Sequence, residues 1–331
     1  MTKTDMLDQK KNCRSVDVLI VGSGLIGSSL VCALSSVKGA ANLSVLIVEA
    51  GPARDISKAE LDSDRDARST ALSFGSSQIL ERLGLWKRLR GFAAPIHEIV
   101  VSDQGRFGST RLTSTEYKLD ALGYVVENQN LLTALYEVMQ SHKKLNVVNN
   151  TRVVKVVPNS DGMEVQLQEA HQDTQKIQAR LVVLAEGGQS KIATELGIKG
   201  RRVDYNQHAI IANITTERAH FGIAYERFSE SGPIALLPLT SLREEHRASL
   251  VWTVTSAAAA EMVHWTESML IEELQKNIGQ KLGQIKSIGK RDVFPLSLSV
   301  AQEQIRPSLV LLGNAAHTIH PVAGQGMNLS L

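Results

Sequence analysis

Short apolar runs and longer amphipathic runs alternate along the first part of the chain. Residues 16–21 are mostly apolar and β-branched, which is typical of a strand buried on both faces of a parallel sheet. Small and apolar residues recur at helical spacing over 26–37, and residues 44–48 predict a second buried strand. These segments predict one βαβ unit. Residues 1–14 are polar without an apolar period, which predicts a disordered lead-in.

Farther along, the pattern changes from alternating helices and strands to strands alone. The elements predicted before residue 200 are helices at 76–89 and 131–142 and strands at 147–157, 163–168 and 181–185. The strands predicted next are at 209–214, 223–228, 234–237 and 249–254. Because no helix separates these strands, they predict an antiparallel sheet in a second layer or domain. A long helix at 257–278 and a buried strand at 309–312 complete the predicted elements.

Composition is that of a soluble globular protein. Of the 331 residues, 43% are hydrophobic and 21% are charged, which suffices for a sizeable core and two ordinary domains. The 36 basic and 34 acidic side chains nearly cancel, so charge indicates neither nucleic acid nor strong attraction to an anionic membrane. Cys13 and Cys32 have neither metal-site nor redox-pair spacing, and a reducing cytoplasm fits. No apolar run approaches the roughly 18–20 residues of a membrane helix.

A glycine pattern joins the first predicted strand to the first predicted helix. Gly22-Ser23-Gly24-Leu25-Ile26-Gly27 matches G-x-G-x-x-G, and Glu49 follows at the end of the next strand. Gly22 permits a tight turn, Gly24 lets the backbone approach a pyrophosphate, and Gly27 allows close packing of helix on strand. Glu49, followed by Ala50, is placed to accept hydrogen bonds from ribose hydroxyls. The alternative is a glycine-rich loop without a ligand; the pattern alone does not choose between NAD and FAD.

The segment after the strand at 309–312 carries a second glycine-rich pattern. Gly313 ends that strand, and Asn314 offers a side chain that can hydrogen-bond a hydroxyl group. Pro321 is predicted to shape the next loop, and Gly324-Gln325-Gly326-Met327-Asn328 to begin a helix whose amides can stabilise negative charge. His317 and His320 are interpreted as satisfied structural residues rather than bases, because the chemistry considered below needs no imidazole.

Together, these two patterns resemble the paired signatures of the class A FAD-dependent aromatic hydroxylases. In that family the second signature is G-D-A-A-H, followed by Pro and then by G-Q-G-x-N. In this chain the matching segment begins about 290 residues after the first glycine pattern. The segment at 66–73 resembles the R-x-x-A-L segment of the family. Further segments, at 101–105, 122–128, 226–228 and 232–239, resemble its ubiquinone-biosynthesis branch. The resemblance therefore covers the chain from about residue 16 to residue 331.

The resemblance implies an α/β fold with a Rossmann-type FAD-binding domain on a parallel sheet and a smaller substrate domain on an antiparallel sheet. The implied FAD-binding domain is discontinuous and comprises 15–90, 116–200 and 291–331, and the substrate domain comprises 91–115 and 201–290. Arg68 would approach the flavin and its phosphates, with an exposed arginine as the alternative. The predicted cofactor-binding residues are Gly22, Gly24, Leu25, Ile26, Gly27, Glu49, Ala50, Arg68, Asn128, Glu186, Gly187, Gly313, Asn314, Pro321, Gly324, Gln325, Gly326, Met327 and Asn328.

The implied reaction is ring hydroxylation of a polyprenylated phenol. NADH or NADPH would bind transiently and reduce the flavin, and O2 would then form a C4a-hydroperoxide that transfers one oxygen atom to the ring. The substrate would lie between the antiparallel sheet and the flavin, and no catalytic base is identified. Because such a substrate partitions into lipid, we expect peripheral contact with the inner membrane or with a ubiquinone-biosynthesis complex.

Three features depart from the family pattern. Glu186 stands where the family's middle motif usually has Asp, and Asn314 also replaces an Asp. The sequence given stops at Leu331, so the family's C-terminal helical region is expected to be missing. These departures keep open a non-catalytic FAD-binding or assembly protein, whereas a flavin-linked disulfide reductase would need a cysteine pair that the chain lacks.

Overall fold

The computed structural model describes most of the chain. The described residues are 15–40, 42–53, 66–169, 174–188 and 190–331. The predicted lead-in at 1–14, with Cys13, lies outside them.

Strands and helices alternate at first and give way to long strands. The strands are β1 (Ser15–Val21), β2 (Val45–Val48), β3 (Ser69–Ser73), β4 (Ala93–Ile96), β5 (Glu98–Asp103), β6 (Ser109–Thr113), β7 (Gly123–Glu127), β8 (Leu145–Val148), β9 (Thr151–Asn159), β10 (Gly162–Glu169), β11 (Gln175–Leu184), β12 (Gly200–Thr216), β13 (Ile223–Ser229), β14 (Gly232–Pro238), β15 (His246–Thr255), β16 (Ile285–Ile288), β17 (Asp292–Ala301), β18 (Ile305–Arg306), β19 (Leu309–Leu311) and β20 (His317–Thr318). The α-helices are α1 (Leu25–Ser36), α2 (Phe74–Arg82), α3 (Trp86–Leu89), α4 (Asn128–Met139), α5 (Lys191–Glu195), α6 (Ser256–Met262), α7 (Glu267–Ile278) and α8 (Gln325–Asn328).

The first sheet has a parallel centre. Its order is β18-β19-β11-β1-β2-β8, and β1 pairs in parallel with both β11 and β2. Strand β2 pairs in parallel with β8, and β11 with β19, so the carboxyl ends of these strands meet at one edge. Ligands of open parallel sheets bind at such an edge. The predicted β1-α1-β2 unit is confirmed, with each boundary within one residue of the prediction.

The second sheet is mostly antiparallel. Its order is β20-β17-β12-β15-β14-β13-β5-β6, with β16 also paired to β12. One face packs on α6 and α7 through a core that includes Trp252, Leu250 and Leu274. The antiparallel sheet predicted after residue 205 is therefore confirmed, although β12 begins nine residues earlier than the strand at 209–214.

A third, small sheet lies between the other two. Strand β7 forms its centre, with β3 and β4 paired to it in antiparallel register. Its buried residues Ile96 and Val125 pack with Ala224 of the second sheet and with Leu239, which directly follows β14. The hydroxyl groups of Ser69 and Ser249 also form a 2.8 Å hydrogen bond between the two sheets. Other residues of the third sheet, Leu72, Ala93 and Val126, belong to a core shared with the first sheet. The third sheet therefore contacts both of the larger sheets.

Three predicted elements are divided in the structure. The helix predicted at 76–89 is α2 and α3, because Gly84 takes a left-handed conformation (φ 77°) between them. The helix predicted at 257–278 is α6 and α7, and the Thr266 hydroxyl accepts from the Met269 amide to begin the second. The strand predicted at 147–157 is β8 and β9, separated by Asn150 at φ 53°. No helix in the described ranges is long and apolar enough to cross a membrane.

Two strands pair differently from the predicted domain boundaries. Strand β17 falls within 291–331, which was assigned to the first domain, but it pairs with β12 of the second sheet over ten residues. Strand β4 falls within 91–115, which was assigned to the substrate domain, but it pairs with β7 of the third sheet. The domain boundaries stay a prediction, and these two pairings across them could not be predicted, because a single strand's apolar pattern does not identify its hydrogen-bonding partner.

The thiol of Cys32 is buried in the core between α1 and α4. Its side chain is 1% exposed, Sγ lies 3.5 Å from the Leu135 carbonyl, and burial raises the pKa of the thiol to about 12. Because the thiolate is the reactive form, we expect native Cys13→Ser protein to resist an aromatic disulfide reagent at pH 8 and to react once guanidinium unfolds it. Labelling of the native protein at the rate of a free thiol would contradict this burial.

Candidate functional site

A cleft opens where the parallel strands of the first sheet end. Its volume is about 710 Å³, within the range of about 300–1,000 Å³ typical of ligand pockets. The predicted site residues that line it are Gly22, Gly24, Leu25, Ile26, Glu49, Ala50, Arg68, Asn128, Glu186, Gly187, Asn314, Gly326 and Met327. Segments far apart in the chain therefore meet around one space.

The glycine turn after β1 forms the floor of the cleft. Gly22 has φ 98°, and a Cβ there would lie 2.7 Å from the Ala185 carbonyl oxygen. A Cβ on Gly27 would collide with the Gly22 carbonyl oxygen, so this glycine allows the first turn of α1 to close on the loop. Gly24 differs from both, because a Cβ there would have no atom within 4 Å. The missing side chain of Gly24 therefore leaves room beside the N-terminus of α1, where a phosphate could approach.

Glu49 ties the glycine turn to the end of β2. Its Oε2 accepts hydrogen bonds from the Ser23 amide at 2.8 Å and from the Ser23 hydroxyl at 2.7 Å. Its Oε1 accepts from the Gly51 amide at 2.9 Å. The structure thus shows a role in holding the turn that the sequence did not reveal, and the role in ribose binding stays a prediction. Glu49 also lines the cleft.

Ser23 is fully buried beneath this turn and links it to α4. Its hydroxyl donates to Glu49 and accepts from the Tyr136 hydroxyl at 2.8 Å. Ser23→Ala is expected to lower the free energy of unfolding by about 1–3 kcal/mol, because it leaves the Tyr136 hydroxyl without that acceptor. Tyr136→Phe should lower it by about 1 kcal/mol, and the double variant by less than the sum. Urea unfolding of the three variants measures the coupling; strictly additive losses would contradict the hydrogen bond.

Arg68 borders the cleft and is paired within its own loop. Its Nε and Nη2 each donate at 2.8 Å to the Asp66 carboxylate, and this bond raises the pKa of Arg68. The guanidinium also lies 5.8 Å from the ring centre of Phe294 on β17. The side chain is half exposed, so it can reach a ligand while Asp66 orients it. The sequence suggested Arg68 but gave no sign of its carboxylate partner.

Three polar residues of the cleft, Glu186, Asn128 and Asn314, have different surroundings. The Glu186 carboxylate accepts from the hydroxyl of Ser190, which also caps α5. The side-chain Oδ1 of Asn128 accepts a 2.7 Å hydrogen bond from the hydroxyl of Thr70, 58 positions away in the chain. Asn314 is exposed in the cleft wall. The longer Glu and the neutral Asn, both departures from the family pattern, thus stand at the cleft in positions open to solvent or a ligand.

The C-terminal glycines pack directly against the N-terminal part of the site. Gly313 has φ 59°, and a Cβ there would lie 2.9 Å from the Ile26 side chain. Gly324 has φ 60° beside Ala71, and the Asn328 amide donates at 2.8 Å to the Ala71 carbonyl. Together these contacts bring the two glycine-rich segments to one site. Of the predicted residues, Gly27, Gly313, Pro321, Gly324, Gln325 and Asn328 do not line the cleft.

The two histidines of the C-terminal segment have different surroundings. His320 Nδ1 accepts from the Val322 amide at 3.2 Å, its ring meets Tyr205 edge to face, and burial lowers its pKa. This fits the structural role predicted for it. His317 Nε2 is buried without a hydrogen-bond partner in the described residues, so the expectation of a satisfied His317 was wrong at this atom.

Two basic side chains in the cleft were missed by the sequence analysis. Arg152 on β9 and Lys191 at the start of α5 both line it. Neither belongs to a glycine pattern, and Arg152 is brought near the site because the amide of its neighbour Thr151 donates to the Glu49 carbonyl at 3.0 Å. Their positive charges, the open space at Gly24 and the volume of the cleft fit a dinucleotide with a pyrophosphate.

Comparison with known proteins agrees with this geometry. The family described as FAD binding domain matches residues 15–331. The chain is 34% identical over 315 residues to the ubiquinone hydroxylase UbiL of Rhodospirillum rubrum, covering 95% of this chain and 70% of that protein. It is 29% identical over 314 residues to the 3-demethoxyubiquinol 3-hydroxylase of Escherichia coli, covering 95% and 76%. PqsL of Pseudomonas aeruginosa, described as a probable FAD-dependent monooxygenase, shares the fold with a TM-score of 0.74 at 21% identity, covering 96% and 83%.

Proposed function

Because the chain belongs to the FAD-binding domain family, we propose that it hydroxylates the aromatic ring of a polyprenylated phenol in ubiquinone biosynthesis. FAD, the cofactor predicted from the sequence, is confirmed by that membership, and the chain is an FAD-dependent monooxygenase like its relatives. The observation that carries the proposal is the close packing of Gly313 against the Ile26 side chain. This packing brings the two glycine-rich segments together at one cleft.

The residues of the cleft fit FAD in a definite order. The space at Gly24, at the N-terminus of α1, would take the pyrophosphate, and Arg152 and Lys191 supply positive charge in the same cleft. Glu49 would accept from the adenosine ribose, and Asn314 would hydrogen-bond the ribityl chain. Gly324 and Asn328, which are held against Ala71, would shape the end of the cleft that receives the flavin ring.

FAD, once bound, would take two electrons from NADH or NADPH and activate O2 to transfer one oxygen atom to the phenol. The protein's part is to place the aromatic ring and to keep water away from it. The face of the second sheet that looks toward the third sheet carries partly exposed apolar side chains, among them Ile211, Val251 and Phe294. An apolar face of this kind suits a ring with a hydrocarbon tail such as a 2-polyprenyl-6-methoxyphenol. The same tail supports peripheral membrane contact, which cosedimentation of the holoprotein with liposomes measures.

The visible spectrum of the purified protein is the first test. Bands of oxidised flavin are expected, and a folded, colourless protein that refuses added FAD would contradict the proposal. The second test is NAD(P)H oxidation stimulated by the phenol, with the product identified by mass as gaining one oxygen atom. A yellow protein that never forms this product would instead favour a non-catalytic FAD-binding role.

A further inference from the structure

Glu226 lies on the face of the second sheet that looks toward the third sheet. Its neighbour Tyr225 points the other way, into the core formed with α6 and α7. Ala224, two residues before Glu226, packs on Ile96 and Val125 of the third sheet. Because side chains alternate along a strand, Glu226 shares the face of Ala224.

The row of residues beside Glu226 on this face is apolar across four strands. Glu226 pairs with Val101 and Ala235, and the row continues through Val251 and Ile211. Glu226 itself is partly buried. Among the described residues, no hydrogen bond or ion pair involves its carboxylate. A carboxylate in such surroundings lacks the partners that buried charges normally have.

Contacts between the sheets link this face to the segments that carry Arg68 and Gly324, although the residues of the row do not line the cleft. On β15, Ser249 lies two residues from Val251 and bonds to Ser69. On β17, Asp292 pairs with Ile211 and continues the row, and Phe294, two residues farther along that strand, lies against the Arg68 guanidinium. Both contacts are at the β15 and β17 end of the row, whereas Glu226 lies two strands away on β13. At the Glu226 end, Ala71 packs against the cluster of Ala224 and also meets Gly324 of the C-terminal segment.

The charged groups nearby do not compensate Glu226. Those on neighbouring strands and on the same face are already paired: Asp103 with Arg106, Asp292 with Lys290, and Arg247 with Glu127. Arg227, Arg111 and Lys281 lie toward the opposite face, around Tyr225. Burial alone therefore acts on Glu226 and raises its pKa above that of an ordinary carboxyl group.

We propose that Glu226 accepts the hydroxyl proton of the phenol as the ring is hydroxylated. This inference rests on the proposed function. The O–H bond of the phenol breaks, its electron pair stays on the phenol oxygen, and the proton forms a new O–H bond on the Glu226 carboxylate. The more electron-rich ring is the better nucleophile toward the incoming oxygen atom. After transfer, the ring carbon that carries the new C–O bond releases its proton to water, and Glu226 returns its own proton to the phenol oxygen. The second oxygen atom of O2 leaves as water with the two electrons that NADH or NADPH supplies.

The surroundings of Glu226 suit this role. A carboxylate whose pKa is raised toward neutral pH is a stronger base than an exposed one and is still ionised above that pKa. Its basic form is lost as the pH falls through the raised pKa. The kcat/KM for the phenol should therefore decline on the acidic side at a higher pH than the ordinary glutamate pKa of about 4.3 would produce.

The test compares FAD-loaded wild type with Glu226→Gln, using 2-methoxy-6-prenylphenol as the probe. Glutamine keeps a hydrogen-bond acceptor but cannot take the proton. The dissociation constant of the probe, measured from the flavin absorbance, should change by less than about tenfold. Hydroxylated product formed per NAD(P)H should fall about 100-fold, with hydrogen peroxide released instead, and the acidic limb of the pH profile should disappear.

Two further variants keep the result interpretable. Glu230→Gln, at the exposed turn after the same strand, is expected to behave as wild type. Glu226→Asp keeps a carboxylate and should retain the acidic limb. Suppose that wild type hydroxylates the probe, and that Glu226→Gln forms as much hydroxylated product per NAD(P)H and keeps the acidic limb of the pH profile. The role of Glu226 is then wrong, while the proposed function stands. If wild type binds FAD but never hydroxylates any phenol, both are wrong.

Discussion

A Gly24→Val protein is expected to fold and to lose its FAD. Gly24 caps α1 with φ −68° and ψ −170°, an extended conformation that valine adopts readily. A Cβ at this position meets no protein atom within 4 Å, so the new side chain would project into the cleft. There it would occupy the space proposed for the pyrophosphate. We expect FAD affinity to fall at least about 100-fold, which corresponds to about 2.7 kcal/mol.

The measurement is FAD titration of the apoprotein, paired with thermal unfolding. A valine N-cap should lower the free energy of unfolding by no more than about 1 kcal/mol. Gly39→Val is the matched control, because a Cβ there is equally free of neighbours and Gly39 does not line the cleft. If Gly24→Val binds FAD as tightly as Gly39→Val does, the pyrophosphate does not lie at this turn.

Arg247→Ala is expected to lower the free energy of unfolding by about 3–5 kcal/mol. Arg247 on β15 and Glu127 at the end of β7 form a two-pronged ion pair at 2.8 and 3.2 Å, with side chains only 9% and 14% exposed. The same carboxylate accepts from Asn213 at 3.2 Å. Removing the guanidinium leaves a buried carboxylate without its main partner, whereas replacing both residues by apolar ones removes the charge as well.

Urea unfolding measures the loss, and an exposed ion pair elsewhere in the protein serves as the control for this buried one. Arg88 and Glu137 form an exposed pair at 2.9 Å, and Arg88→Ala should change the free energy of unfolding by less than about 1 kcal/mol. The double variant Glu127→Leu with Arg247→Met should be less destabilised than Arg247→Ala. Equal losses for Arg247→Ala and Arg88→Ala would show that water reaches the Glu127 carboxylate.

Local sequence pattern was enough to predict the parts of the site that depend on neighbouring residues. The strand, glycine turn and helix at the N-terminus were predicted within one residue, because burial on both faces and helical periodicity are properties of consecutive positions. The antiparallel sheet after residue 205 was predicted for the same reason. The divisions at Gly84 and Thr266 were not, since apolar periodicity continued across both.

The remaining features depend on register and on contacts between distant segments. Glu226 stood in a segment noted only for its family resemblance, and its place in an apolar row follows from the pairing of four strands. The partnership of Glu127 with Arg247 spans 120 positions. Glu49 was expected to face only a ligand, whereas its hydrogen bonds hold the turn itself. Sequence spacing carries no information on such partners.

The pairing of β20 with β17 has a mechanical consequence. Strand β20 belongs to the C-terminal segment between Gly313 and Gly324, yet its residues His317 and Thr318 pair with β17 of the second sheet. The Ala301 amide adds a further bond to the Ala316 carbonyl at 2.9 Å. A shift of this segment would therefore be transmitted through backbone hydrogen bonds to β17. If FAD binding changes the affinity of the protein for a phenol in this way, phenol binding must change the affinity for FAD by the same factor.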